Sequence, residues 1–88
     1  MPELSRFENI ILRMWYSDVG KHNKPHFHAY CGEFEAVIGI DGELIEGSIP
    51  AKKLKLIQAW VILHEEELYK AWNSAVRNEP FGKIEPLR

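Results

Sequence analysis

Gly32-Glu33 sits between His26-Phe27-His28-Ala29-Tyr30-Cys31 and Phe34-Glu35-Ala36-Val37-Ile38-Gly39-Ile40, and it sharply limits what the middle of this chain can form. Both flanks are rich in branched and aromatic residues, and a glycine at the first of two turn positions suits a type II′ hairpin. Directly opposed residues of an antiparallel pair share one face of the sheet. With the turn at Gly32-Glu33, Cys31 opposes Phe34, Ala29 opposes Ala36 and Phe27 opposes Ile38, giving one apolar face. The other face carries Tyr30 against Glu35, His28 against Val37 and His26 against Gly39.

Asp41-Gly42 signals a second hairpin, which predicts Ile38 opposite Ile45 and Val37 opposite Glu46. Upstream, Ile10-Ile11-Leu12-Arg13-Met14-Trp15-Tyr16 reads as a strand, ended by the polar run from Ser17 to Lys24. Placed beside the histidine strand, it completes a predicted four-stranded antiparallel meander. From Pro50 the apolar period becomes helical, with Leu54, Ile57, Val61, His64, Leu68, Ala71 and Ala75 at three- and four-residue steps and Trp60 and Trp72 flanking the stripe. Pro50 fits a first helical turn. Glu65-Glu66-Glu67 favours a new helix start near His64, whereas Lys52, Lys53 and Lys55 oppose the dipole of the first turn, so the segment is either one long kinked helix or two helices. Asn78 and Pro80 end it, leaving Phe81 to Arg88 as a tail that docks Phe81, Ile84 or Leu87. The helical segment must cover the apolar sheet face, which predicts a two-layer α+β fold with residues 1–88 as a single domain.

Composition narrows the function classes. Hydrophobic residues make up 45% of the chain, enough for a core without staples. Eleven Lys+Arg against 13 Asp+Glu give a net charge of -2, which argues against a nucleic-acid binder that relies on overall basicity. Cys31 is the lone cysteine and cannot form an internal disulfide. No basic start followed by an apolar run and a cleavage site is read, nor a stretch of membrane-spanning length, so the expected address is cytoplasmic. No P-loop, dinucleotide fingerprint, paired CxxC, zincin helix or nucleophile elbow occurs, and no cofactor is expected.

The chemistry candidates lie on the polar face. His26 and His28, two apart on a strand, project from the same side with backbone positions about 6.5 to 7 Å apart. With Phe27 anchored in the core, both imidazoles are expected to face solvent on a rigid element. Imidazole titrates near neutrality, so such a pair can serve as general acid and base. RNA cleavage needs no metal if one group deprotonates the 2′-hydroxyl and another protonates the leaving oxygen. Arg13 shares this face and would stabilise developing phosphate charge. Tyr30 continues the row, Glu35 lies diagonal to His28, and Trp15 shares Arg13's parity, so all three are candidate partner or ligand contacts. Lys52 and Lys53, at a helix start, would receive a phosphate or an acidic surface. A metal reading would use His22, His26 and His28 with Glu35 or Asp18, while Cys31 points to the core side. The plainer reading makes the histidines ordinary strand residues, Lys52, Lys53 and Lys55 a solvated face, and Trp60, Trp72 and His64 packed helix residues.

Ser5-Arg6-Phe7, Arg13-Met14-Trp15-Tyr16, Pro25-His26-Phe27-His28-Ala29, the Gly47-Ser48-Ile49-Pro50 entry and Trp60, His64, Leu68 and Trp72 at four-residue steps together resemble a family. It is the small bacterial domain-of-unknown-function family 4160, whose members carry a P-H-F-H-A hallmark. Members usually show two prolines before the first histidine, where this chain has Lys24, and often Tyr where it has Trp15. The resemblance implies genes that stand beside another small protein in toxin–antitoxin-like arrangements. The expectation is therefore a member of such a pair, a small RNA-cleaving effector with His26 and His28 as acid and base and Arg13 on the phosphate. The alternatives are a non-enzymatic module that binds the adjacent-gene protein through Trp15 and Tyr30, or a weak metal-binding protein. A homo-oligomer through an exposed sheet edge is also expected to be open to this fold.

Overall fold

The computed structural model describes residues 3–14 and 24–87, and its elements run β1 (Glu3–Phe7), β2 (Ile10–Arg13), β3 (His26–Cys31), β4 (Phe34–Gly39), β5 (Leu44–Ser48), α1 (Ala51–Leu63) and α2 (Glu65–Val76). The strands form one antiparallel sheet in the order β1-β2-β3-β4-β5, so the α+β meander has five strands rather than four. The additional strand, β1, pairs Phe7 with Ile10 across Glu8-Asn9, which both take positive φ (49° and 62°) as a type I′ turn requires. Glu-Asn is a weak form of that turn signal, which is why the hairpin is hard to read from the residues. The β2 strand ends at Arg13, and Trp15, Tyr16, Asp18 and His22 lie outside the described residues.

Every predicted pair between β3 and β4 is present, from His26 opposite Gly39 to Cys31 opposite Phe34. Gly32 has φ +58° while Glu33 is not among the positive-φ residues, as a type II′ turn demands. The next hairpin departs from its predicted register. The Gly42 amide donates to the Gly39 carbonyl and the Gly39 amide to the Glu43 carbonyl, both at 2.8 Å, and Gly42 takes φ +92°. This is a three-residue loop, a type I turn followed by a left-handed glycine, and not a two-residue I′ turn. Ile38 therefore faces Leu44 instead of Ile45, and an irregularity after that pair restores Val37 opposite Glu46 as predicted.

The core lies between the apolar sheet face and the helices. Trp60 of α1 is fully buried, with its ring 5.8 Å from both Phe7 and Phe27. Ile57 and Val61 flank it, and Leu68, Ala71 and Ala75 of α2 close the layer against Leu12, Ala29 and Ile38. Burying a side chain of this size contributes about 1.5–3 kcal/mol, so this cluster dominates the stability. The helices break at His64, whose φ of -126° leaves the helical range, and Glu65, Glu66 and Glu67 occupy the first turn of α2. Asn78, at φ +60°, ends α2 in a Schellman pattern: its amide bonds Ala75 and the Glu79 amide bonds Ser74.

The tail docks. Ile84 is buried and its amide donates to the Leu4 carbonyl at 2.7 Å, while the Trp60 indole donates to the Glu85 carbonyl at 2.7 Å. Phe81 and Leu87 pack against the core as half-buried neighbours. The tail thus satisfies the Leu4 carbonyl on the outer edge of β1, an edge that would otherwise invite another strand. Among the described residues no helix is long and apolar enough to cross a membrane.

Candidate functional site

Side-chain parity carries the histidine face across the sheet in two rows. Pairing places Glu3, Arg13, His28, Val37 and Glu46 in one row and Arg6, Ile11, Tyr30, Glu35 and Ser48 in the next. Arg13 is thus directly opposite His28, which brings together two of the residues singled out from the sequence. Its guanidinium carbon lies 5.5 Å over the Tyr30 ring, and the His28 and Tyr30 rings lie nearly parallel at 6.5 Å. Arg13 Nε is buried, and among the described residues it has no hydrogen-bond partner.

The histidines do not face solvent, contrary to expectation. His26 is 1% exposed and His28 is 9% exposed. A strand's polar face is open only where nothing lies over it, and here the Trp72 ring from α2 stands 5.1 Å from His26 at the start of β3. His28 stands edge-on to His26 at 5.7 Å. The aromatic chain Trp72, His26, His28, Tyr30 therefore runs from the helical layer out along β3, with exposure rising from His26 through His28 to Tyr30.

His26 is also tied to the backbone. Its Nδ1 lies 3.0 Å from the carbonyl oxygen of Lys24. A carbonyl can only accept, so Nδ1 carries the proton. Lys24 itself binds Asp41 at 2.7 Å and also Glu43, pinning the chain just ahead of β3 to the β4–β5 loop. Gly39, opposite His26, makes this possible: a Cβ there would stand 2.5 Å from Asp41 Oδ1 and 2.8 Å from Lys24 Cε. The Lys24 ammonium holds the Asp41 carboxyl below its ordinary range, helped by the Glu43 amide, and the two carboxylates in turn raise the lysine. Glu3 is likewise lowered, first by its hydrogen bond from Arg6 and then by the charges of Arg6, Lys83 and Arg13.

The remaining candidates separate. Glu35 is exposed on the same face, opposite Tyr30. Lys53 is drawn away from any ligand role at the helix start, since its ammonium donates to the Glu8 carbonyl at 2.7 Å and straps α1 to the β1–β2 turn; Lys52 stays exposed. Trp15 lies outside the described residues. His64 Nδ1 meets Glu67 at 2.8 Å at the helix break, remote in sequence from the sheet cluster. Among the described residues no three His, Cys, Asp or Glu side chains converge to hold a metal ion.

The residues that sequence reasoning missed are Trp72, Lys24 and Gly39. Gly39 had a signal in the register itself, as the one position on the polar face without a side chain. Trp72 had none, because its place flanking the helical stripe predicts only core packing.

A family model described as a domain of unknown function, DUF4160, matches residues 9–73, which include the Pro25-His26-Phe27-His28-Ala29 segment and Trp72. The chain belongs to this family. No curated protein and no solved structure matches it. The DUF4160 match spans β2 to most of α2, so the rows from Arg13 and Ile11 onward, the His26–Trp72 contact and the Lys24 clamp all fall within the family region, whereas β1, with Glu3 and Arg6, and the docked tail fall outside it.

Proposed function

We propose that this DUF4160 chain is a non-enzymatic, partner-binding member of a bacterial toxin–antitoxin-like protein pair, and that it meets the adjacent-gene protein through the outer part of its histidine face. The observation that carries this reading is the burial of His26 and His28 at 1% and 9% exposure beside an accessible Tyr30 and Glu35. Acid and base groups for RNA cleavage must reach the 2′-hydroxyl and the leaving oxygen of a bulky polymer. Rings packed under Trp72 and against each other serve better as the rigid floor beneath a contact surface. Arg13, Tyr30 and Glu35 then offer a cation, an aromatic plate and a carboxylate, residue types suited to a specific protein interface. Trp15, two residues after Arg13 in the sequence, belongs to the same proposal.

The test is co-expression with the adjacent-gene protein and affinity capture. Tyr30→Ala is expected to weaken capture at least tenfold with the fold retained, whereas capture that is indifferent to Tyr30→Ala, Glu35→Lys and Trp15→Ala refutes the binding face.

The effector reading keeps one observation in its favour. The Lys24 carbonyl fixes the proton on His26 Nδ1, an arrangement that also orients a general base. If cleavage is the activity, expression of the chain without its neighbour arrests growth and degrades RNA, and His28→Ala abolishes both while the fold persists. Intact RNA and normal growth remove that reading and leave the binding role.

A further inference from the structure

One exposed stripe runs along α1 and the start of α2 on the side opposite the core. Lys52, Lys55, Ala59, Ile62, Glu66 and Tyr69 follow one another at steps of three, four, three, four and three residues, and all six are exposed. That is the spacing of a coiled-coil seam, and it lies away from Ile57, Trp60 and Val61, which hold α1 to the sheet. Its centre is strongly apolar for a surface: Ile62 is 78% exposed, with Leu63 beside it at 66%. At the helix break the His64 amide still bonds the Trp60 carbonyl and the Leu68 amide the His64 carbonyl, each at 3.0 Å, and Leu68 continues the buried side that Ile57 and Val61 begin, so Glu66 and Tyr69 continue the exposed one.

We infer that this stripe is the dimer seam of the protein, and that its occupant is the same stripe of a second copy packed antiparallel. The charge order selects that occupant. The stripe is basic at its beginning, with Lys52 and Lys55, and acidic at the α1–α2 junction, with Glu65, Glu66 and Glu67. A uniformly basic or acidic helix would meet repulsion at one end or the other, and a parallel copy would set lysine on lysine. Only a partner of reversed charge order is complementary along the whole line, and a second copy turned end for end has that order.

Size complementarity fixes the register. With the two-fold axis midway between Ala59 and Ile62, each Ile62 seats on the small Ala59 of the other copy, and each Lys55 faces Glu66. Lys52 then lies along the Tyr69 ring, where its methylenes and charge both find a partner. The contact is isologous, so every favourable layer occurs twice. Two helices per copy make a small interface, so the association is reversible and depends on concentration. This seam is remote from the histidine face, and the inference is independent of the function proposed above.

The experiment is sedimentation equilibrium of the full chain over a dilution series. The average mass is expected to rise from 10.2 kDa toward twice that value as concentration increases. Ile62→Glu should remain at the single-chain mass throughout, with the circular dichroism spectrum unchanged and, at dilutions where the wild type is a single chain, the same thermal midpoint, because the side chain is exposed there. Lys55→Glu alone and Glu66→Lys alone should each raise the dimer dissociation constant at least tenfold, and the double reversal should restore it to within about threefold of the wild type. A wild type that stays at 10.2 kDa at every concentration overturns the inference. So does a dimer indifferent to Ile62→Glu, or one for which the double reversal is no better than the single changes.

Discussion

The imidazole Nδ1 of His26 donates to the carbonyl oxygen of Lys24, two residues earlier in the chain, at 3.0 Å. Ordinarily a strand residue's side chain leaves the backbone beside it to the ladder. Here the ring satisfies a carbonyl just before β3 begins, and Trp72 covers the assembly from the helical side. The histidine therefore holds the entry of the central strand, the Lys24 clamp and the helical layer together, whatever else it does.

That role predicts a stability cost. His26→Ala removes a buried donor and leaves a void beside Trp72, together about 2–4 kcal/mol of destabilisation. Tyr30→Ala, on the same strand but partly open to solvent, should cost roughly half as much. Urea unfolding of the two variants checks the order. Equal midpoints for His26→Ala and the wild type would exclude the packed role.

Two glycines on the sheet should respond very differently to the same methyl group. At Gly47, with φ +83°, an added Cβ would stand 2.3 Å from the Glu35 carbonyl oxygen and 3.0 Å from the Ala36 Cα, both of them backbone. At Gly32, with φ +58°, it meets nothing within 4 Å. Gly32→Ala should therefore cost only the backbone strain of a side chain at positive φ, about 1–3 kcal/mol. Gly47→Ala must additionally displace β4 or β5 and is expected to lose more than about 3 kcal/mol or to fail to fold. Thermal unfolding of both variants measures the difference.

Much of this architecture was legible because strand parity and turn chemistry act locally. The β3–β4 register follows from Gly32-Glu33 and the alternation of Phe27, Ala29 and Cys31 with no further information. The helix end at Asn78 and the docking of Ile84 were legible for the same reason: a left-handed cap and an isolated apolar residue are local signals. The slip of Ile38 onto Leu44 was not, since Asp41-Gly42 serves equally in two- and three-residue loops, and what decides is the Lys24–Asp41–Glu43 cluster closing over Gly39. The candidate site was half legible. Its members and their shared face came from parity alone, but its burial depends on Trp72, more than forty residues away in the chain, and no local pattern reports that contact.

The Lys24–Asp41 pair ties stability to pH with a definite sign. Asp41 titrates below its ordinary carboxylate range in the folded protein, first because of the Lys24 ammonium. Its contribution is therefore present above the unfolded carboxylate value, about 3.9, and is lost as pH falls through the lower folded value. Glu3, lowered chiefly by Arg6, acts in the same direction. Stability should thus decline from about pH 5 to about pH 2, and Lys24→Gln should flatten part of that decline. The groups are solvent-exposed, so raising salt should shrink the difference between wild type and variant. A variant whose acid limb superimposes on the wild type at low salt would show that the clamp contributes nothing.

The docked tail carries the last prediction. The Ile84 amide bonds the Leu4 carbonyl, and the Trp60 indole bonds the Glu85 carbonyl, so the tail both contacts the edge of β1 and supplies the acceptor of the fully buried Trp60. Truncation after Pro80 removes both bonds and uncovers the side of the core that Ile84 seals. The expected loss is about 3–5 kcal/mol, combining one buried apolar side chain with two unsatisfied groups. Trp60 gains water beside its indole, which should shift the tryptophan emission to longer wavelength. The bared β1 edge should also promote aggregation, because an unpaired strand with open backbone groups is a template for another. Ile84→Ala separates the two effects: it costs about 2–3 kcal/mol through the core but leaves the backbone bond to Leu4 in place, so it should destabilise without aggregating. Equal aggregation by Ile84→Ala and the truncation would mean that lost core packing alone, with no exposed edge, drives it.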